Sequence, residues 1–294
     1  MTSEERKKAQ DAMMLLTEKS GGEVKGRCVY KGNGTRDWLS KEDTASPTAS
    51  LEGIMNTCVI DAYDGRDVMS ADVPNAFIQT WMPETKQGEA RVMMKITGLL
   101  VDYMIQIDPE YRKYVVYENG KRVIYVLILK AIYGMLQASL LWCRKLRQDL
   151  EAVGFKFNPY DQCIANKTVN GYQQTIRFHV DDLLSSHIDP KVNDDFLKWL
   201  NEQYGSIKEV TSTRGKIHTY LGMTLDFSVK GKFKVRMDDY VTQMLEDFPC
   251  KLWGTRHPMY ASRSQSFGKR KRKEIGSSKK RDIPFLCCKR TISV

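Results

Sequence analysis

Two adjacent carboxylates, Asp181 and Asp182, sit inside an apolar, β-forming run, Phe178-His179-Val180-Asp181-Asp182-Leu183-Leu184. Charged side chains are mostly exposed, so a pair set in such a run asks for a reason. Upstream, Asn170-Gly171 is a strong two-residue hairpin signal. The segment therefore reads as a strand, a carboxylate-bearing turn and a second strand. Like charges side by side repel, and a cation between them relieves the repulsion. Hard oxygen ligands that leave room for substrate phosphates are what Mg²⁺ prefers. Asp72, in Ala71-Asp72-Val73-Pro74-Asn75-Ala76-Phe77, supplies a third carboxylate. Such a set suits two-metal phosphoryl transfer.

The elements that must hold these residues follow from periodicity and punctuation. Thr2 and Glu5 form a capping box ahead of a helix expected over residues 4–18, and Ser20-Gly21-Gly22 ends it. Residues 23–32 alternate like a strand and carry Lys25, Arg27 and Lys31. Ser46-Pro47 reads as a helix start, followed at helical spacing by Leu51, Ile54, Met55, Cys58 and Ala62, with Gly65 as the stop. Val68 to Phe77 is a strand entering a turn with Asp72 on it, and residues 91–129 read as β-rich. A helix over 138–153 has Trp142, Leu146, Leu150 and Val153 as its buried stripe. Asp189-Pro190 opens another, ending at Gly205. Residues 217–235 read as two strands, and 238–248 as a last helix.

The chain has 294 residues and 41% hydrophobic content, enough for a globular core. No window approaches the roughly 18 apolar residues of a membrane helix, and the polar start Met1-Thr2-Ser3-Glu4-Glu5-Arg6 is unlike a signal peptide. Seven scattered cysteines with no Cys-x-x-Cys point to reduced thiols and an intracellular setting, cytoplasmic or nuclear. The net charge of +10 is misleading until it is divided. Residues 250–294 hold 13 Lys/Arg against 2 Asp/Glu, a balance of +11, which leaves −1 for residues 1–249. The Ser/Lys/Arg-rich stretch after Pro249, with its run Lys269–Lys273, reads as a disordered basic tail. Contacts of that run with nucleic acid would be sequence-independent and salt-sensitive.

Several motifs in order carry a family resemblance. They are Asp72-Val73-Pro74-Asn75-Ala76-Phe77; Lys130-Ala131-Ile132-Tyr133-Gly134-Met135-Leu136-Gln137-Ala138 followed by Trp142; Gly154-Phe155; Pro159-Tyr160-Asp161; Val180-Asp181-Asp182; and Tyr220-Leu221-Gly222. Together they resemble the reverse transcriptase of copia-type LTR retrotransposons. The resemblance implies an α+β fold of polymerase fingers and palm, an antiparallel sheet backed by helices, with a partial thumb. It covers a domain over residues 23–248, after an N-terminal extension (1–22) and before the tail (249–294). It implies an RNA-directed DNA polymerase that copies an RNA template from a DNA or RNA primer with dNTPs. Asp72, Asp181, Asp182 and the Val73 carbonyl would hold two Mg²⁺, with Mn²⁺ as an alternative occupant. Phe77 would be the ring that excludes a ribose 2′-hydroxyl. Asn75, Ala76, Tyr133 and Gly134 would line the nucleotide site, Lys25 and Arg27 would grip its triphosphate, and Leu221-Gly222 would form the primer grip. Trp142 reads as core packing.

The chain departs from the family in three places. His179 stands where the family usually has Tyr, and Leu136-Gln137-Ala138-Ser139 lacks the family's Lys and Pro. After Pro249 neither the rest of a thumb nor an RNase H domain follows. The chain therefore reads as a polyprotein fragment. A decayed, catalytically inactive copy is the alternative reading, although all three carboxylates are present.

Overall fold

The computed structural model describes residues 1–18, 22–86 and 88–247; the expected basic tail lies outside them. In chain order the elements are α1 (Ser3–Lys8), β1 (Gln10–Glu18), β2 (Val24–Tyr30), α2 (Leu51–Asp64), β3 (Asp67–Asp72), β4 (Met93–Thr97), α3 (Leu99–Ile107), β5 (Val116–Glu118), β6 (Lys121–Leu127), α4 (Ala138–Ala152), β7 (Lys156–Phe157), β8 (Ile164–Val169), β9 (Tyr172–His179), β10 (Asp182–His187), α5 (Pro190–Tyr204), β11 (Thr211–Gly215), β12 (Ile217–Tyr220), β13 (Met223–Asp226), β14 (Lys234–Arg236) and α6 (Asp238–Glu246). The strands make a five-stranded sheet in the order β2-β1-β4-β6-β5, a six-stranded sheet β11-β3-β10-β9-β8-β7 and a three-stranded sheet β12-β13-β14. Only the pairing of β1 with β4 is parallel among the named strand pairs. This is the expected α+β class. No helix among the described residues is long and apolar enough to cross a membrane.

Four local expectations are corrected. The Thr2–Glu5 capping box forms, but its helix stops at Lys8 and a nine-residue strand follows. That strand pairs with both β2 and β4, so residues 10–18 belong to the five-stranded sheet rather than to a helical extension. The cap of α2 is Ser50, not Ser46. Asp161 decides this, because its Oδ2 accepts from the Ser50 backbone N–H at 2.9 Å and from its hydroxyl at 2.8 Å. The β-rich region 91–129 contains a helix, α3. Residues 217–235 hold three strands, not two.

Period-two alternation divides the six-stranded sheet into two faces. Met69, Ala71, Ile176, Phe178 and Leu183 pack with Trp142, Leu146 and Leu150 of α4 and with Phe196 and Leu200 of α5. Val68 and Leu184 point the other way, onto Ile54, Cys58 and Ala62 of α2 and onto Tyr220, Met223 and Leu225 of the small sheet. Arg177 and Ser186 also face α2. There Arg177 is 0% exposed and Asp61 1%. Arg177 Nη1 donates to Asp61 Oδ2 at 2.6 Å and Nη2 to Ser186 Oγ at 2.9 Å, while Ser186 Oγ donates to Asp61 Oδ1 at 2.6 Å. One buried ion pair thus fastens α2 to both β9 and β10.

Removing one partner of a buried pair leaves the other charge uncompensated. Arg177→Met is therefore expected to destabilise the chain by roughly 3–5 kcal/mol, read as a lower urea midpoint. A loss under about 1 kcal/mol, the range of an exposed pair, would mean that Arg66 neutralises Asp61 instead, from its present 3.7 Å.

Candidate active site

The site starts at the β9–β10 turn. His179 pairs with Asp182, so Val180-Asp181 is a two-residue hairpin loop. Val180 has φ +57°, a conformation that costs a β-branched residue on the order of 1–3 kcal/mol. Two hydrogen bonds hold the loop there. Trp142 Nε1 donates to the Val180 carbonyl at 2.6 Å, and the Val73 N–H donates to the Asp181 carbonyl at 3.0 Å. Trp142 is the core residue expected from sequence, but it is also the latch of this turn.

Strand register brings the carboxylates together. Asp182 is the cross-strand partner of Asp72, and Asp72 in turn pairs with Thr211 on β11. Asp72 and Asp182 continue the face of Val68 and Leu184, so both carboxylates stand on the α2 side. Directly opposed residues have Cβ atoms about 4.5–5.5 Å apart, where like charges destabilise. Burial pushes both carboxyls above the usual carboxylate range, and the charge of neighbouring Asp181 pushes each further. Asp72 raises Asp182 as well, whereas His179 pulls it back. Lys25 and Lys208 act on Asp72 in the same downward sense. Among the described residues no three His, Cys, Asp or Glu side chains are already gathered tightly enough to hold a metal. The donor set nonetheless fits a hard divalent cation: carboxylate oxygens on one sheet end, with no positive charge between them to cancel their repulsion.

A second wall comes from the segments expected to bind nucleotide. The Phe77 and Tyr133 rings lie 4.8 Å apart, centroid to centroid, and the Arg27 guanidinium sits 5.4 Å over the Tyr133 ring. Burial pushes the Tyr133 hydroxyl up, and the charge of Asp181 adds to this. Lys25 and Arg27 are exposed on β2. Asn75, exposed and at φ +53°, heads the short 3₁₀ turn that carries Phe77. Ala76 is 1% exposed and Val73 0%, so each can offer a ligand only its backbone. Gly134, at φ +89°, has a structural duty. A Cβ there would lie 2.0 Å from the Tyr30 carbonyl oxygen, and the Tyr30 N–H donates to the Tyr133 carbonyl at 2.8 Å. It is the β2 backbone that approaches Gly134 this closely.

Leu221-Gly222 is the two-residue loop of the β12–β13 hairpin, because Tyr220 pairs with Met223. Both loop residues have positive φ, +50° and +74°, the pattern of a type I′ turn. The preceding residue, Tyr220, borders a 160 Å³ cleft lined also by Asp72, Asp182, Thr211, Thr213 and Thr219. Sequence reading missed these hydroxyls and Lys208. Only strand register reveals the first, and Lys208 carries no motif. A larger cavity, 430 Å³, lies against Phe155, Phe196 and Trp199 on the opposite face of the sheet. It touches none of the carboxylates, so size does not mark the site here.

The profile of the reverse transcriptase (RNA-dependent DNA polymerase) family matches residues 7–259. The chain belongs to this family. The resemblance to copia-type retrotransposon reverse transcriptases agrees with it. A curated relative, the putative transposon Ty5-1 protein of Saccharomyces cerevisiae, is 28% identical over 112 residues, 38% of this chain and 35% of the yeast protein. The chain thus matches about a third of that relative's length. Similar solved structures include a foamy viral protease–reverse transcriptase in complex with double-stranded DNA, at TM-score 0.43 and 14% identity over 82% of this chain and 33% of that one. Another is telomerase from Candida albicans with a fragment of telomeric RNA, at TM-score 0.40 and 10% identity over 81% and 48%.

The opposed carboxylates give this reverse transcriptase a stability signature. Asp72 and Asp182 both titrate above the ordinary 3.8 in the folded chain. A group with a raised folded pKa binds its proton more tightly folded than unfolded. The fold therefore gains stability as pH falls through the raised value and has lost that gain at neutrality. Asp182→Asn is expected to raise Tm at pH 7 without divalent cations. The advantage should vanish below pH 3.8, where the wild-type carboxyl is protonated. Thermal melts at the two pH values check this; a lower Tm for the variant at pH 7 would contradict a repulsive pair.

Proposed function

We propose that this chain is the RNA-directed DNA polymerase domain of a retrotransposon, extending a DNA or RNA primer on an RNA template with deoxynucleoside triphosphates. The observation that carries the reading is the direct cross-strand opposition of Asp72 and Asp182 beside Asp181. Two directly opposed carboxylates, Asp72 exposed and Asp182 half-buried, are a standing cost unless a cation joins them. Asp72, Asp181, Asp182 and the Val73 carbonyl would hold two divalent cations, magnesium or manganese, which would lower the pKa of the primer 3′-hydroxyl and neutralise the triphosphate.

The chain's own residues supply the rest. Phe77, braced by Tyr133, presents an apolar ring edge that leaves a ribose 2′-hydroxyl no hydrogen-bond partner. Lys25 and Arg27 on β2 supply positive charge for the triphosphate. Thr219 and Tyr220 of the third sheet share a cleft with Asp72 and Asp182, and the Leu221-Gly222 turn that follows would seat the primer end. Ala76 and Asn75 would line the nucleotide, Asn75 from the head of the turn that carries Phe77.

Primer extension by the full chain on poly(rA)/oligo(dT) tests this. Wild type should extend in Mg²⁺, and Asp181→Asn should lose nearly all activity, since removing a metal ligand forfeits several kcal/mol of charge stabilisation. Activity within tenfold of wild type would contradict the role. In the same assay Phe77→Ala should admit ribonucleotides; an unchanged dNTP/rNTP ratio would make Phe77 a packing residue.

A further inference from the structure

Among the described residues, three buried polar atoms around the carboxylate hairpin have no hydrogen-bond partner: His179 Nδ1, the Tyr220 hydroxyl and Arg177 Nε. His179 is the cross-strand neighbour of Asp182, whereas Tyr220 and Arg177 come from different sheets. Buried orphans of this kind are costly and uncommon. Tyr220 is 2% exposed and its ring is packed among Cys58, Val68, Leu184 and Met223, so the hydroxyl cannot turn out to water. The residue Tyr220 lines the cleft that also contains Asp72 and Asp182, and the charges of Arg177 and Asp182 both act on its hydroxyl. Asp182 is only half-buried, so its carboxylate is the member free to move.

Donor and acceptor types allow one chain that links Arg177, Tyr220 and Asp182 through the phenol. A guanidinium donates only, an ionised carboxylate accepts only, and a phenol does both. We propose that the Tyr220 hydroxyl is a positioning residue. It accepts from Arg177 Nε and donates to the Asp182 carboxylate, directly or through one water in the cleft, when a divalent cation draws Asp182 into its liganding orientation. The inference rests on the divalent-cation reading of Asp72, Asp181 and Asp182. The chain of contacts then runs from buried Asp61 through Arg177 and Tyr220 to the ligand Asp182. It also ties the Leu221-Gly222 turn, which follows Tyr220 directly, to the catalytic hairpin. Partners of this kind, which orient a ligand without touching the metal, typically change metal affinity 10–100-fold when removed.

The test is Mn²⁺ binding to the full chain without nucleotide or primer, read by electron paramagnetic resonance, with thermal melts in parallel. Tyr220→Phe keeps the ring and deletes only the hydroxyl. It should weaken Mn²⁺ binding about tenfold while the Tm without metal stays unchanged or rises. Asp182→Asn is the control and should weaken binding at least as much. If Asp182→Asn binds like wild type, the cation site itself is misassigned and the proposal falls with it. If Asp182→Asn weakens binding and Tyr220→Phe does not, the site stands and the positioning role is overturned. A second measurement needs no Tyr220 variant. In Mg²⁺-loaded wild type the Tyr220 hydroxyl proton should give a slowly exchanging, downfield resonance that is absent in Asp182→Asn. An identical, fast-exchanging hydroxyl in both would also overturn the role.

Discussion

The structure is organised around a repulsion. Register places Asp72 and Asp182 side by side on one face of the palm-like sheet, where two negative charges drive the strand ends apart. The surrounding contacts work against that separation. The Val73 N–H bonds the Asp181 carbonyl across the strand ends. Trp142 holds the carbonyl of the strained Val180. Behind them, Arg177 and Asp61 clamp both hairpin strands to α2. These contacts hold the backbone rigid so that the side chains of Asp72 and Asp182 can stay unneutralised at a fixed place, the arrangement in which a site trades stability for function.

Much of this was legible in the sequence where the signal was local. The Asp181-Asp182 turn followed from its apolar flanks and the Asn170-Gly171 punctuation; the latter closes a two-residue loop between β8 and β9, Val169 pairing with Tyr172. The α4 stripe of Trp142, Leu146 and Leu150 is buried as its spacing required, and Asp189 caps α5. Expectations failed where a distant partner decided the outcome. Met13-Met14-Leu15-Leu16 has good helical propensity, yet pairing with β2 overrides it. Ser46 and Ser50 are equivalent cap candidates by type, and only Asp161, far along the chain, separates them. The Asp61–Arg177 pair joins residues with no local pattern in common.

The candidate site divides along the same line. Residue types named the carboxylates, and the family resemblance named Phe77, Tyr133 and the Leu221-Gly222 turn. Their relations had to come from the fold: Asp72 facing Asp182, Arg27 over Tyr133, Gly134 shaped by Tyr30 rather than by a ligand. The hydroxyl-lined cleft is the clearest case. Thr211 and Thr213 are ordinary strand residues that the pairing of β11 with β3 brings beside Asp72, and the packing of β12 adds Thr219 and Tyr220 to the same cleft.

The place of β1 bears on how the chain is made. Its parallel partner is β4, so Gln10 waits for Met94 to be synthesised before the sheet can close. Until then the β1–β2 ribbon carries Met13, Met14, Leu15 and Leu16, all more than 40% exposed even in the finished fold, beside an unpaired strand edge. An apolar edge of that kind is a template for association with other chains, and non-local parallel pairing forms slowly. The nascent chain thus passes through a window, from the emergence of β2 to the arrival of β4, in which its own first strand is its chief aggregation hazard.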